Sequence, residues 1–265
     1  MQLQLQNSKI NSSTDLTITG SKSESNRLLF LKALFSSLEV QNVSNSDDSQ
    51  YMLKALSTKS NTVDIHHAGT AMRFLTAYFA TLEGSTILLT GSQRMQERPI
   101  KILVDALRDL GADIEYASQE GYPPLRITGK RLFKDEVRMK ANVSSQYISA
   151  LVLMATKLEN GLKLHLEGKI TSVPYINMTL SLLEQIGVET SFEGQTINVN
   201  PYLETDSKTL TAESDWSSAS YFYSIIALSP PGTQVRLSTY KKDSLQGDAV
   251  LKDIYKKMGV ETTFE

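Results

Sequence analysis

The sequence has 265 residues, 40% of them apolar, with 27 Lys and Arg against 29 Asp and Glu for a net charge of -2. That length accommodates two domains and at least one sizeable core, while the charge balance lacks the basic excess with which a dedicated nucleic-acid binder displaces counterions. The absence of cysteine excludes disulfides, thiolate nucleophiles and Cys-ligated metal or iron–sulfur sites.

Taken from the start, MQLQLQNSKI has neither the cationic start nor the apolar core of a signal peptide. No later apolar run reaches the roughly 18 residues of a membrane span, so a cytoplasmic protein without a membrane partner is expected. A strand over Leu16–Thr19 then hands over to a helix at Gly20-Ser21-Lys22-Ser23-Glu24-Ser25-Asn26-Arg27. Lys22 and Ser23 fall at the helix start and Arg27 one turn in, so an ammonium, a hydroxyl and a guanidinium could meet one phosphate. The nucleotide-binding pattern GxxxxGK[ST] is missing, which argues against an ATP site. Asp47 and Asp48, adjacent carboxylates before a helix, read as its caps.

His66 and His67 beside Asp64 suggest metal ligands, but neighbouring histidines point in different directions and His165 lies in a separate strand-like segment. No metal site is expected. In the helix HAGTAMRFLTAYFA, Arg73 sits mid-helix, where pairing with a local carboxylate is the ordinary outcome. Arg94 and Arg98 follow in RMQERPI; Arg98 precedes Pro99 and is expected to be extended, projecting beside a helix whose first turn holds Pro99. Further helices are predicted at VSSQYISALVLMA, SVPYINMTLSLLEQI with Pro174 in its first turn, SDWSSASYFYSIIAL and LQGDAVLKDIYKKM. Small polar or Gly-containing clusters precede each of these runs, and helix N-termini, with unpaired N–H groups, suit anions. There is no GxSxG elbow and no Ser/His/Asp set.

Three helices close on glycine and pass into alternating, β-branched segments: LVDALRDLGADIEY, LSLLEQIGVETSFE and LKDIYKKMGVETTFE. Gly suits the left-handed position after a helix. Gly111, Gly187 and Gly259 are 76 and 72 residues apart, which implies a repeat of about 75 residues with two helices and several strands. The first two copies continue into return strands, LRITG and TINVNP, whereas the third stops at Glu265. A lone strand would leave an open edge, so a longer natural protein is expected.

In this order and across essentially the whole chain, GSKSESNR, SDD (Ser46 to Asp48), AGTAMR, RMQERPI, VSSQ, SVPY, the SSASY after Asp215 and SLQGD resemble the 5-enolpyruvylshikimate-3-phosphate (EPSP) synthase family of 3-phosphoshikimate 1-carboxyvinyltransferases. The resemblance implies an α/β (α+β) fold of two lobes built from βαβαββ units, residues 19–211 forming a complete lobe and 1–18 plus 212–265 part of the other. By the same resemblance, Lys22, Ser23, Arg27, Ser144, Ser145, Gln146, Ser172 and Tyr175 would hold shikimate 3-phosphate. Lys22, Gly69, Arg98 and Gln146 would hold phosphoenolpyruvate. The implied partners are these two small molecules, with no nucleic acid, no cofactor and no metal, and the chain is expected to be a monomer.

The implied reaction moves the enolpyruvyl group to the 5-hydroxyl of shikimate 3-phosphate, with phosphate leaving a tetrahedral intermediate. It needs a base for the hydroxyl and an acid for the methylene carbon. In the family those carboxylates come after the position of Glu265, so the chain is expected to be C-terminally truncated and inactive alone, with Lys22 the one catalytic candidate inside it. Thr19, His66-His67, Val173 and Phe74 stand where the family commonly has Pro, Gly-Asn, Lys and Pro. Two other readings remain: a UDP-N-acetylglucosamine enolpyruvyl transferase, whose usual loop Cys is absent here, and a non-catalytic anion-binding module; a third, the RNA-processing use of related repeat folds, is disfavoured by the net charge of -2.

Overall fold

The computed structural model describes Gln4 and residues 9–142, 144–203 and 206–265; Val143 of the VSSQ motif and most of MQLQLQNSKI lie outside the described residues. Two compact units result. The larger runs from Gly20 to Ala212, and the smaller combines the chain up to Thr19 with Glu213–Glu265.

Strand β1 (Ser13–Leu16) opens the smaller unit, three residues earlier than the sequence suggests. The larger unit starts with α1 (Lys22–Leu34), where the Ser21 hydroxyl accepts the Glu24 N–H at 3.2 Å, followed by β2 (Leu38–Gln41) and α2 (Asp47–Ser57). Next come β3 (Thr62–Asp64), α3 (Gly69–Ala80), β4 (Thr86–Thr90), the single turn α4 (Gln93–Gln96), α5 (Lys101–Asp109), β5 (Asp113–Tyr116) and β6 (Leu125–Thr128). Their strands form a sheet of order β3-β4-β6-β5, parallel at β3–β4 and antiparallel elsewhere. The pattern recurs in β7 (Glu136–Lys140), α6 (Ser145–Ala155), β8 (Leu162–Glu167), α7 (Val173–Ile186), β9 (Thr190–Glu193) and β10 (Thr196–Val199), whose order is β7-β8-β10-β9. Strand β11 (Lys208–Thr211) returns to pair in parallel with β2.

Residue patterning explains which surfaces are covered. Along β7 and β8, Val137, Met139, Leu162, Leu164 and Leu166 point inward and alternate with wetted residues, so one sheet face meets helices and the other water. Helices α3 and α6 are apolar nearly all round and buried along almost their whole length, which makes them central. Helix α5 is amphipathic and buries only Leu103, Val104, Ala106 and Leu107. These elements share one continuous hydrophobic core. Gly111, Gly187 and Gly259 adopt φ of 104, 100 and 85°, the left-handed conformation that ends each helix without a Cβ clash.

Two segments differ from expectation. Pro99 lies before α5 rather than in its first turn, because Ile100 becomes the cap residue with its N–H bound to the Gly121 carbonyl at 2.9 Å. Val260–Glu265 forms no strand, since no described strand pairs with it.

In the smaller unit β1 pairs in parallel with β12 (Gln234–Leu237). Helix α8 (Trp216–Ala227), a 3-10 turn at Gly247–Val250 and α9 (Leu251–Lys256) pack around Trp216, Ala219, Tyr223, Ala249 and Val260. Buried Glu213 accepts from Trp216 Nε1 (2.8 Å), Lys241 N–H (3.0 Å) and Ser244 Oγ (2.7 Å). Tyr240 donates to the Asp215 carbonyl at 2.9 Å and stacks edge-on against Trp216. Desolvation, then the Asp215 and Glu213 charges, push the Tyr240 hydroxyl well above the ordinary tyrosine range. A raised folded value favours the folded state fully below about pH 10, the unfolded tyrosine value, and the benefit fades as pH rises beyond it. Urea midpoints of the parent chain should therefore fall above about pH 10, and should fall less steeply in Tyr240→Phe.

Candidate functional site

Contacts among helix starts organise one end of the larger unit. Arg27, in the second turn of α1, is 2% exposed. It donates to Thr179 Oγ1 on α7 (2.7 Å), Ser149 Oγ on α6 (2.8 Å) and the carbonyls of Ser23 (2.7 Å) and Tyr175 (3.3 Å). Its guanidinium also lies over the Phe74 and Tyr175 rings. Arg27 thus ties the early turns of α1, α6 and α7 together. Burial pushes its guanidinium down to about 10, partly offset by the neighbouring Tyr175 and Glu24 side chains; at about 10 it stays protonated at neutral pH. None of these four acceptors is a carboxylate.

A second set of contacts brings in α2 and α3. Asp48 accepts the N–H groups of Thr70 (3.4 Å) and Ala71 (3.2 Å) and is itself held by Asn26 Nδ2 at 2.8 Å. It therefore caps α3, not its own helix. Ser46 fills the cap of α2 instead, accepting from Ser49 N–H. Gln146 on α6 donates to Thr70 Oγ1 at 3.2 Å. The first turns of α1, α2, α3, α6 and α7 are so gathered at one end, where the partial positive charge of helix starts favours anions.

The candidate residues occupy this end. Lys22 is exposed and Ser23 half-buried at the start of α1; Ser144 is exposed as the cap of α6, with buried Ser145 and half-buried Gln146 behind it. Ser172 caps α7 in a left-handed conformation (φ 57°), and Tyr175 is 44% exposed one turn on. A left-handed non-glycine residue costs about 1 kcal/mol or more and persists only where its surroundings hold it. Gly69 and Arg98 meet directly: a Cβ on Gly69 would lie 2.5 Å from Arg98 Nη1. The glycine is what lets the guanidinium lie over the start of α3.

The remaining candidates fall elsewhere or behave differently. Arg73, expected to pair with a carboxylate, instead donates to the carbonyls of Gly69 (3.1 Å) and Pro99 (3.2 Å) and approaches Met95 Sδ at 3.6 Å. Arg94 is exposed on α4. His66 and His67 bring their Nδ1 atoms to 2.6 Å, with Asp47 3.4 Å from His67 Nε2. Among the described residues no group of three or more His, Cys, Asp or Glu is arranged to hold a metal ion. His66 has a left-handed backbone (φ 51°) and its carbonyl accepts from Ser92 N–H, which gives a physical reason for glycine being common there in the family resembled. Phe74 is fully buried, edge-on to Phe30. Ser149, Thr179 and Tyr147 escaped notice, although buried hydroxyls in otherwise apolar helices signal required partners. Among the described residues, no helix is long and apolar enough to cross a membrane.

The larger unit is thus a repeated α/β fold whose helix starts converge at one end. The sequence profile of the EPSP synthase (3-phosphoshikimate 1-carboxyvinyltransferase) family matches residues 56–265. The 3-phosphoshikimate 1-carboxyvinyltransferase of Bacteroides fragilis is 47% identical over 251 residues, covering 94% of this chain and 60% of the relative. The Haemophilus influenzae protein of the same name is 37% identical, covering 94% and 64%. EPSP synthase from Acinetobacter baumannii shares the fold, with a TM-score of 0.73 at 21% identity over 93% of this chain and 59% of that one. The chain belongs to the EPSP synthase family, and it spans 60 to 64% of the length of these two relatives.

Proposed function

We propose that this chain carries the shikimate 3-phosphate seat and part of the phosphoenolpyruvate seat of an enzyme that transfers the enolpyruvyl group to the 5-hydroxyl of shikimate 3-phosphate. The observation that carries this reading is the locking of helix starts by Arg27 and by the Gln146–Thr70 bond. Lys22, Ser23, Ser144, Ser145, Gln146, Ser172 and Tyr175 then border one anion-favouring end, with Arg27 behind them. Gly69, Arg98 and Gln146 border the neighbouring part at the start of α3, and Lys22 is assigned to both seats by the resemblance. In this reading the larger unit is the complete lobe of the family and the smaller unit part of the other.

Binding and orientation are the tasks these residues suit. Of the carboxylates at this end, Asp48 is committed to α3, Glu24 is buried, and Asp47 lies exposed beside His67. None of the three is placed as an acid–base pair for proton transfer. Shikimate 3-phosphate is expected to raise the melting temperature of the chain, a UDP-sugar is not, and no phosphate release from the two substrates is expected. Turnover at rates ordinary for enzymes would overturn the binding-only assignment; equal stabilisation by the UDP-sugar would overturn the substrate assignment.

Gly69→Ala tests the smaller seat. Its Cβ would collide with the end of a flexible side chain, so Arg98 should swing away while the fold survives. The expected stability change is under about 1 kcal/mol, with phosphoenolpyruvate affinity down by about 10-fold. Unchanged affinity in a folded variant would remove Arg98 from the seat.

A further inference from the structure

We infer that Arg73 is a positioning residue that builds the Gly69–Arg98 anion seat from beneath without touching the ligand; this rests on the reading that Gly69 and Arg98 hold phosphoenolpyruvate. The side chain is 4% exposed. One arm of its fork, Nη1, holds the Gly69 carbonyl at 3.1 Å, and the other, Nη2, holds the Pro99 carbonyl at 3.2 Å. A single planar group therefore spans the two backbone segments that form the seat: the start of α3, which carries Gly69, and the residue directly after Arg98. Tyr147 on α6 donates to the same Pro99 carbonyl at 2.6 Å, and its ring lies 5.9 Å from the Arg73 guanidinium carbon. Pro99 is thus fixed by two buried donors from two helices, and Arg98 inherits its place over Gly69 from that anchorage.

Charge points the same way. A buried cation is ordinarily matched by a carboxylate, whereas the hydrogen bonds of Arg73 go to two carbonyls and a thioether, and its Nε has no partner. Desolvation lowers its proton affinity, Tyr147 opposes this, Arg98 adds to it, and Asp48 opposes it weakly. The Asp48 carboxylate already takes the Thr70 and Ala71 N–H groups, so what Arg73 adds is a second cation beneath Gly69, next to Arg98. Lysine cannot reproduce the arrangement, because one ammonium does not span two carbonyls as a guanidinium fork does.

The test compares Arg73→Lys and Tyr147→Phe with the parent chain. Phosphoenolpyruvate binding is read from the Gly69 amide resonance, shikimate 3-phosphate binding from calorimetry, and folding from thermal melts. Arg73→Lys is expected to weaken phosphoenolpyruvate binding by about 10-fold and shikimate 3-phosphate binding by less than about 2-fold; Tyr147→Phe should move the first alone by about 3-fold. A merely structural arginine would lower both affinities together, and that result, or no change in either, overturns the inference. Should Arg73→Lys not fold, Tyr147→Phe decides by the same split. Arg98→Ala separates the two levels. If it abolishes phosphoenolpyruvate binding while Arg73→Lys and Tyr147→Phe do not weaken it, only the positioning role falls. If Arg98→Ala has no effect, or the parent chain shows no shift, the seat and the positioning role fall together.

Discussion

Arg27→Met is expected to lower the stability of the larger unit by about 2–3 kcal/mol, or about 5–10 °C in melting temperature. Opposing contributions set this figure. Removing a buried guanidinium that lacks a carboxylate partner recovers its desolvation penalty, the main cause of its lowered proton affinity. Against this, four acceptors on three helices lose a donor, at about 1–3 kcal/mol for each one left unsatisfied in the interior. Ser149 and Thr179 can still bond each other at 2.9 Å, and Thr179 still reaches the Tyr175 carbonyl at 2.8 Å, so the loss is smaller than a simple sum. The contact with the Phe74 ring also goes. Arg27→Lys should recover under half of the loss, because one ammonium cannot reach acceptors spread over three helices. An unchanged melting temperature in Arg27→Met would mean that the starts of α1, α6 and α7 are held by something else.

The second large effect is expected at Gly20. Its φ is not in the left-handed range, so local conformation does not require glycine there. Space does: an added Cβ would sit 2.0 Å from the Asn42 carbonyl oxygen and 2.8 Å from Ala212 Cβ. That carbonyl cannot simply retreat, because it accepts the Gly20 N–H at 3.0 Å, while Asn42 Nδ2 holds the Ala212 carbonyl at 2.9 Å. Gly20→Ala should therefore cost about 3 kcal/mol and displace the start of α1, which carries Lys22 and Ser23. In melts and calorimetry the expected result is a melting temperature lower by about 10 °C and a loss of shikimate 3-phosphate binding. A variant that melts and binds like the parent chain would show that the β2–β11 edge yields easily.

What the sequence made legible was local. Helices closing on Gly111, Gly187 and Gly259 could be read because one residue's backbone freedom decides them. The burial of α3 and α6 followed from their composition. The helix starts that carry the candidate residues could be located, since small polar residues mark them. What escaped depends on contacts distant in sequence. Gly20 is explained by Asn42 and Ala212, Arg73 by Pro99, and Arg27 by residues more than a hundred positions away. Asp48 was misread for the same reason: its own helix start is served by Ser46, which frees the carboxylate to cap α3. The alternation of Val260–Glu265 suggested a strand, but alternation records which face could be buried and not whether a partner strand pairs with it.

The central claim is that the gathered helix starts of the larger unit form the shikimate 3-phosphate seat. An amide NMR titration of the whole chain with shikimate 3-phosphate tests it most directly. Saturable shifts are expected at Lys22, Ser23, Ser144, Ser145, Gln146, Ser172 and Tyr175, with the outer strands β5 and β9 unmoved. Shifts confined to other surfaces, or none at millimolar ligand with the chain folded, would contradict it.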